Sequence, residues 1–450
     1  MGESIKTISV SELKKEKWTY VFCILFYTIL INYTCVFHFE KAYEMNYEGL
    51  LFIYSFNIYK YLISIIFTSI TCYYTYLHSK RKTFTDIVML MLNFLYFIPG
   101  YVQLATTNAS WGYIFYYFIF YLGLEFWISH IKSNDTNSLA KIFPRFKIKK
   151  YLFLMTLVGL AVSALIFVYN NKSFSIANII ATFADVYEVR AEAKDMGTHW
   201  IIITFEYWAF YFLVLMLAYY SERRKWLISI VLILTGIALF LIQANRIFVF
   251  LIVAAFGMGL VKCNVKKLLY IFVFLSIFII VETAINEEGL VITNIFRRYS
   301  VVPNRIGEFY FDYFLDHTPD YLRTNYSRIC ALFGIPSPYE YNPIGSTIGL
   351  NYFGWEVNCN NGLAGGSMFC FGLLAPLLST FGYIMVFRIY EGTLRCVGKT
   401  QIPYALAFIL ASLAVNSSAL LANIFSISYF SLLYLTLIPL GHKQNESFIH

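Results

Sequence analysis

Apolar residues do not alternate with polar ones along this chain; they come in long unbroken runs, one after another, from Trp18 to Leu440. A run of about 18 or more apolar residues with few charges crosses a hydrocarbon core of about 30 Å as a helix. By that rule the runs predict about twelve transmembrane helices. They lie at 19–39, 51–77, 84–105, 111–131, 151–169, 200–220, 226–243, 247–261, 268–284, 368–390, 404–420 and 421–440. No long polar block interrupts them, so residues 1–450 are expected to form a single membrane-embedded, all-α domain. Lys14, Lys15 and Lys17 stand directly ahead of the first run, which lacks a small-residue cleavage site and therefore reads as a retained span.

The polar connections set the orientation. Lys80/Arg81/Lys82, Lys141/Arg145/Lys147/Lys149/Lys150, Arg223/Arg224/Lys225, Lys262/Lys266/Lys267 and Arg395/Lys399 fall on alternate loops, on the same side as the N-terminal lysines. Basic loops stay in the cytoplasm, so both termini of this multi-pass protein are expected there. The opposite side receives two long loops, 170–199 and 285–367, as the only segments large enough for external chemistry. Composition agrees: 59% of residues are hydrophobic and 13% charged, against roughly 45–50% and 25% in a soluble domain. The net charge of +8 therefore reports topology, and a nucleic-acid partner is not implied. Tyrosines such as Tyr73, Tyr74, Tyr116 and Tyr117 gather near span ends, as interfacial aromatics do. No repeat and no matched pair of broken spans is evident.

Several chemistries lack their residues. The eight cysteines form no CxxC and no Cys/His group at zinc spacing. Walker A, HExxH, GxSxG and paired-carboxylate metal motifs are absent, so no metal and no cofactor is implied. Cys330 and Cys359 share the second long loop, where an oxidising compartment permits a disulfide, although two cysteines in one loop are as often free thiols.

What remains is cationic. Arg246 lies between two apolar runs, and the stretch from Trp226 to Val261 is short for two full crossings, which need roughly 40 residues. An Arg at that depth either snorkels to headgroups or waits for a phosphate. The second loop adds Arg297, Arg298, Arg305, Arg323 and Arg328 and no lysine in the same stretch. Arg presents a planar fork that matches phosphate or carboxylate oxygens, whereas Lys is a point charge; for Arg323 and Arg328, salt bridges to nearby acids are the preferred reading. Residues 306–320 predict an amphipathic helix, with Arg305, Glu308, Asp312 and Asp316 at spacings of three and four on one face and His317 near its end. Asp312, Asp316 and His317 are the candidate general bases for activating a hydroxyl, solvated helix acids being the alternative. In the first loop Arg190 sits in a mixed-charge stretch, placed to converge with Arg246 if both loops cover one cleft. Prolines and glycines between Ser337 and Gly366 predict an irregular segment, with Asn342, Asn351 and Asn358 as sugar-binding candidates.

The layout of about twelve spans with a long loop before the tenth, the Arg in a short outer turn, and the run Phe296-Arg297-Arg298-Tyr299 leading to Pro303-Asn304-Arg305 resembles the Wzy-type O-antigen (oligosaccharide repeat unit) polymerases. That resemblance implies a GT-C-like glycosyltransferase acting at the periplasmic face. Its substrates would be undecaprenyl-pyrophosphate-linked oligosaccharides, drawn from the surrounding membrane lipids, with a chain-length regulator protein as a further candidate partner. It implies pyrophosphate recognition by external arginines, carried here to Arg190, Arg246, Arg297, Arg298 and Arg305. An Arg-x10-Gly spacing described for some members is met only by Arg246 and Gly257, which lie along a span. Two other classes share parts of the layout: a lipid-linked oligosaccharide flippase, which needs polar residues lining its spans, and an O-antigen ligase, which uses a different acceptor.

Overall fold

The computed structural model describes residues 10–38, 54–132, 148–170, 200–243, 246–285, 292–324, 330, 332–339, 343–354, 359, 362–394, 400–416 and 429–441. Among them the chain is helical almost throughout, with no strand beyond one isolated bridge between Tyr54 and Thr107. Among the described residues six helices are long and apolar enough to cross a membrane: Glu16–Phe37, Phe84–Thr106, Ile148–Tyr169, Ile201–Glu222, Val265–Ile285 and Gly362–Leu394. Trp226–Ile242, Ile247–Val261 and Ile402–Asn416 are apolar but shorter.

The outer faces follow from physics that water does not allow. On α1 (Val10–Phe37), Trp18, Phe22, Leu25, Ile29 and Phe37 are all exposed at helical spacing. On the helix Val265–Ile285, Phe274, Phe278, Val281 and Ile285 repeat the pattern. A stripe of that length left in water would cost about 25 cal/mol per Å² of apolar area, so it marks the lipid-facing side.

The chain forms two compact units. One comprises Met1–His130, Asn264–Tyr383 and Ala411–Ala419, the other Ile131–Cys263, Ile384–Leu410 and Leu420–His450. No polar linker marks the division, because two of its crossings fall inside the apolar helices Ala375–Leu394 and Ile402–Asn416. Composition therefore carried no signal of it.

In the first unit, α2 (Ile58–Arg81), the long helix Phe84–Thr106 (α3) and α4 (Trp111–His130) surround a core of tyrosines. At the end of α2 that carries Lys80, Arg81 and Lys82, buried His78 places Nδ1 2.7 Å from Asp86 and Nε2 2.8 Å from Glu125. Thr83 and Asp86 close a capping box at the start of α3, which holds the Asp86 carboxylate in register. Lys82 ends α2 in the left-handed conformation and reaches Glu16 of α1 at 2.8 Å, so four helices are tied at this end.

Helix α3 is interrupted by a π-helical turn, Asn93–Phe97. Such a turn releases backbone carbonyls from the ordinary i→i−4 ladder, and buried carbonyls need new donors. Three hydroxyls supply them: Tyr27 donates to Phe94, Ser300 to Leu95 at 2.5 Å and Tyr117 to Tyr96 at 2.8 Å. Each such bond contributes about 1 kcal/mol net. Ser300 belongs to a second π-helical segment, Ile292–Val301, so two irregular turns are locked together. The Gln103 amide adds a bond to the Val301 carbonyl at 3.1 Å.

In the second unit the helix Trp200–Glu222 packs against Ile148–Tyr169, Trp226–Gln243 and Arg246–Val261. Phe210 and Phe248 stack at 3.6 Å, while Tyr207, Tyr211, Tyr429 and Phe430 form an adjoining aromatic cluster. Glu206, in the second turn of the first of these helices, is fully buried.

One local expectation is corrected, and one open alternative is resolved. The segment 337–366 is not irregular throughout: a helix runs Ile344–Phe353 and another begins at Gly362. Pro343 precedes the first helix and Gly354, at φ 77°, ends it, so these residues cap a helix instead of breaking one. Cys330 and Cys359 are both free thiols.

Candidate functional site

The second π-helical segment feeds directly into a helix, Val302–Asp316, which we label α5. Pro303 sits in its first turn, where the missing N–H costs nothing. The predicted helix 306–320 is thus displaced toward the N-terminus. It ends at Asp316 because His317 is extended and Thr318 precedes Pro319, a position that disfavours the α conformation. Close packing seats the helix: a methyl group at Gly365 would meet the Gly307 Cα at 2.7 Å, and one at Gly307 would collide with the Tyr113 hydroxyl.

The predicted charged face is present, but it is turned inward. Arg305 donates from Nη1 to Glu308 Oε2 at 2.5 Å, with both side chains almost fully buried, at 6% and 4% exposure. The other carboxylate oxygen of Glu308 accepts the Ser110 backbone N–H at 2.6 Å. The Arg305 guanidinium lies 4.6 Å from the centroid of Phe309, whose ring stacks on Tyr352 at 4.5 Å. Ion pairing on one side and a ring on the other fix the plane of the guanidinium, which is what bidentate recognition of an oxyanion requires.

Asp312 lies one turn further along the same face, half-buried, and has no hydrogen-bond partner among the described residues. Burial, reinforced by the neighbouring Glu308 charge and opposed by Arg305, pushes its carboxyl up to about 6. A carboxylate with that value is ionised at neutral pH and still basic enough to accept a proton during a reaction.

The remaining sequence candidates are distributed differently. Asp316 and His317 are exposed at the far end of α5, about three turns from Arg305. The His317 ring stacks on Tyr313 at 3.8 Å and its Nδ1 lies 2.8 Å from the Tyr313 carbonyl, which finishes the helix. Arg297 is buried and Arg298 half-buried in the π-helical segment that leads into α5. Arg323 bonds the carbonyls of Asp320 and Pro319, so it braces the turn after α5. Arg190 lies outside the described residues, and so does the side chain of Arg246, whose backbone opens the helix Arg246–Val261 in the other unit. Gly257 is on that same helix with open space around it, so no packing need explains its spacing from Arg246.

No protein-family model matches the chain, and neither a curated protein nor a solved structure is significantly similar to it.

Sequence reasoning passed over two participants. Ser110 contributes only its backbone, which no motif reveals, and Lys60 lay hidden inside an apolar run. The signal for Lys60 was available, since an ammonium within a predicted span is costly unless it has a task. Its Nζ donates to the Ala109 carbonyl at 2.5 Å, and Lys60 is buried. Among the described residues no group of His, Cys, Asp or Glu is arranged to hold a metal ion.

Proposed function

We propose that this protein is a membrane-embedded glycosyltransferase of the O-antigen polymerase type, built in a GT-C-like manner with about twelve spans. It joins oligosaccharide repeat units carried on undecaprenyl pyrophosphate at the periplasmic face of the inner membrane, with both termini in the cytoplasm. The observation that carries the reading is the inward face of α5: a locked guanidinium at Arg305 and, two turns along the same face, a carboxylate at Asp312 with no hydrogen-bond partner among the described residues, outside the apolar helices.

The mechanism follows from the substrate's chemistry. A sugar C1 bonded to pyrophosphate already carries a good leaving group. The enzyme must stabilise the negative charge that develops on the departing diphosphate and remove a proton from the acceptor hydroxyl. Asp312 takes that proton while the C1–O bond to pyrophosphate breaks and the acceptor oxygen bonds to C1. Protonating Asp312 makes the cluster one unit more positive at the moment the leaving group becomes more negative. Arg305 then receives the phosphate oxygens, with Arg297 and Arg298 as further cations for the same diphosphate.

The transporter reading draws its support from one feature, the buried His78, Asp86 and Glu125, which is the kind of group a proton-coupled flippase uses. Lipopolysaccharide from a deletion strain separates the classes. A single capped repeat unit on the lipid core is expected for a polymerase; core without any repeat would mean a flippase or a ligase and would overturn the proposal.

A further inference from the structure

One peptide group ties the site to a second cation. Its carbonyl, that of Ala109, accepts the Lys60 ammonium at 2.5 Å, and its N–H, that of Ser110, donates to Glu308 Oε1 at 2.6 Å. Glu308 in turn holds Arg305 at 2.5 Å. Lys60, the peptide, Glu308 and Arg305 therefore form one continuous string of charge-assisted bonds in which a single anion is flanked by two cations.

The geometry of Lys60 is deliberate. It stands in the first turn of α2, where the Asn57 side chain caps the backbone by accepting the Tyr59 and Lys60 N–H groups at 2.9 and 3.2 Å. The turn it touches is pinned by the Ser55 N–H bond to the Thr106 carbonyl at 3.1 Å. The residue is 9% exposed, and its ammonium lies 5.8 Å from the centroid of Trp111. An ammonium has three donors, and the Ala109 carbonyl is the one acceptor it has among the described residues. A buried cation with donors to spare, at the positive end of a helix and one peptide away from a paired Arg, is suited to an anion with several oxygens.

We propose that Lys60 is a binding residue for the lipid-linked diphosphate, acting with Arg305 from the opposite side of the Ala109–Ser110 peptide; this rests on the reading of the α5 site as a diphosphate-releasing glycosyltransferase. Arg305 supplies the planar fork and Lys60 the mobile point charge. The two answer to different oxygens of one pyrophosphate, so a monophosphate engages them less completely.

The test uses the full chain in lipid nanodiscs with radiolabelled undecaprenyl pyrophosphate, and undecaprenyl phosphate as the comparison probe. Lys60→Gln is expected to weaken diphosphate binding about tenfold or more, the size of one charge-assisted bond, while Lys60→Arg retains most of it. In the unmodified protein, bound undecaprenyl pyrophosphate is expected to slow acylation of Lys60 by an amine-directed reagent, read by mass spectrometry, which keeps the question answerable should Lys60→Gln fail to fold. If Arg305→Gln loses binding while Lys60→Gln binds as the unmodified protein does, or if acylation of Lys60 is unchanged by the lipid, the role of Lys60 is overturned and the site reading stands. If the unmodified protein does not bind the diphosphate more tightly than the monophosphate, the site reading itself fails and Lys60 with it.

Discussion

At the residue scale, Asp312 and Arg305 call for different experiments. The Asp312 carboxyl has its folded-state value raised to about 6 from an ordinary 3.8. Its proton is thus held more tightly when folded, so this group favours the fold most at low pH, and the advantage is lost as pH rises between those two values. Asp312→Asn should accordingly raise the thermal midpoint measured at pH 7.5, and the gain should vanish near pH 3.5. The same value sets the activity profile: polymerisation by the purified protein should fall as pH is lowered through about 6, and a profile flat from pH 5 to 8 would remove Asp312 as the base. Arg305 is less simple to probe. In the proposed reaction removing it deletes a transition-state donor, which typically costs about 10²–10³ in rate, but it also strands Glu308. Breaking a buried pair on one side costs about 3–5 kcal/mol. Arg305→Ala should therefore lose both activity and stability, visible as lost polymer together with a lowered melting midpoint.

At the element scale, the apolar runs made the helices legible, and spacings of three and four made the charged face of α5 legible. The direction of that face was not. Whether an acid on a helix meets water or a backbone N–H depends on Ser110, which is 198 positions away from Glu308. Helix ends were misread where proline and glycine served as caps, as at Pro343 and Gly354. The glycines of the helix Gly362–Phe371 were misread as breakers, whereas Gly365 allows the backbone of α5 to approach closely. Gly365→Leu should force the two helices apart at a cost of about 1–3 kcal/mol. The expected signature is a lower melting midpoint and reduced polymerisation with intact membrane insertion; unchanged stability would mean that the close approach is not needed. The π-helical turn Asn93–Phe97 left no trace in periodicity, and the hydroxyls of Tyr27, Tyr117 and Ser300 that meet its carbonyls lie outside it in sequence.

At the scale of the whole molecule, the apolar runs point to a membrane, while the two compact units follow from packing. Hydrophobicity measures transfer into lipid and says nothing about which helices pack together, and the chain changes units within apolar helices where no compositional boundary exists. The α5 site lies entirely within the first unit, whereas Arg246 belongs to the second. Arg246→Ala, in a protein that still inserts normally, is expected to abolish chain growth; polymer of modal length in that mutant would remove Arg246 from the account.

The claim on which the rest depends is that α5 carries a base and a diphosphate-binding cation for sugar transfer. Asp312→Asn tests it most directly, because the change is nearly isosteric and no bond among the described residues is lost. Lipopolysaccharide from a deletion strain carrying this variant, expressed at the level of the unmodified protein, should show a single capped repeat unit in place of the ladder. A ladder of normal length would contradict the account.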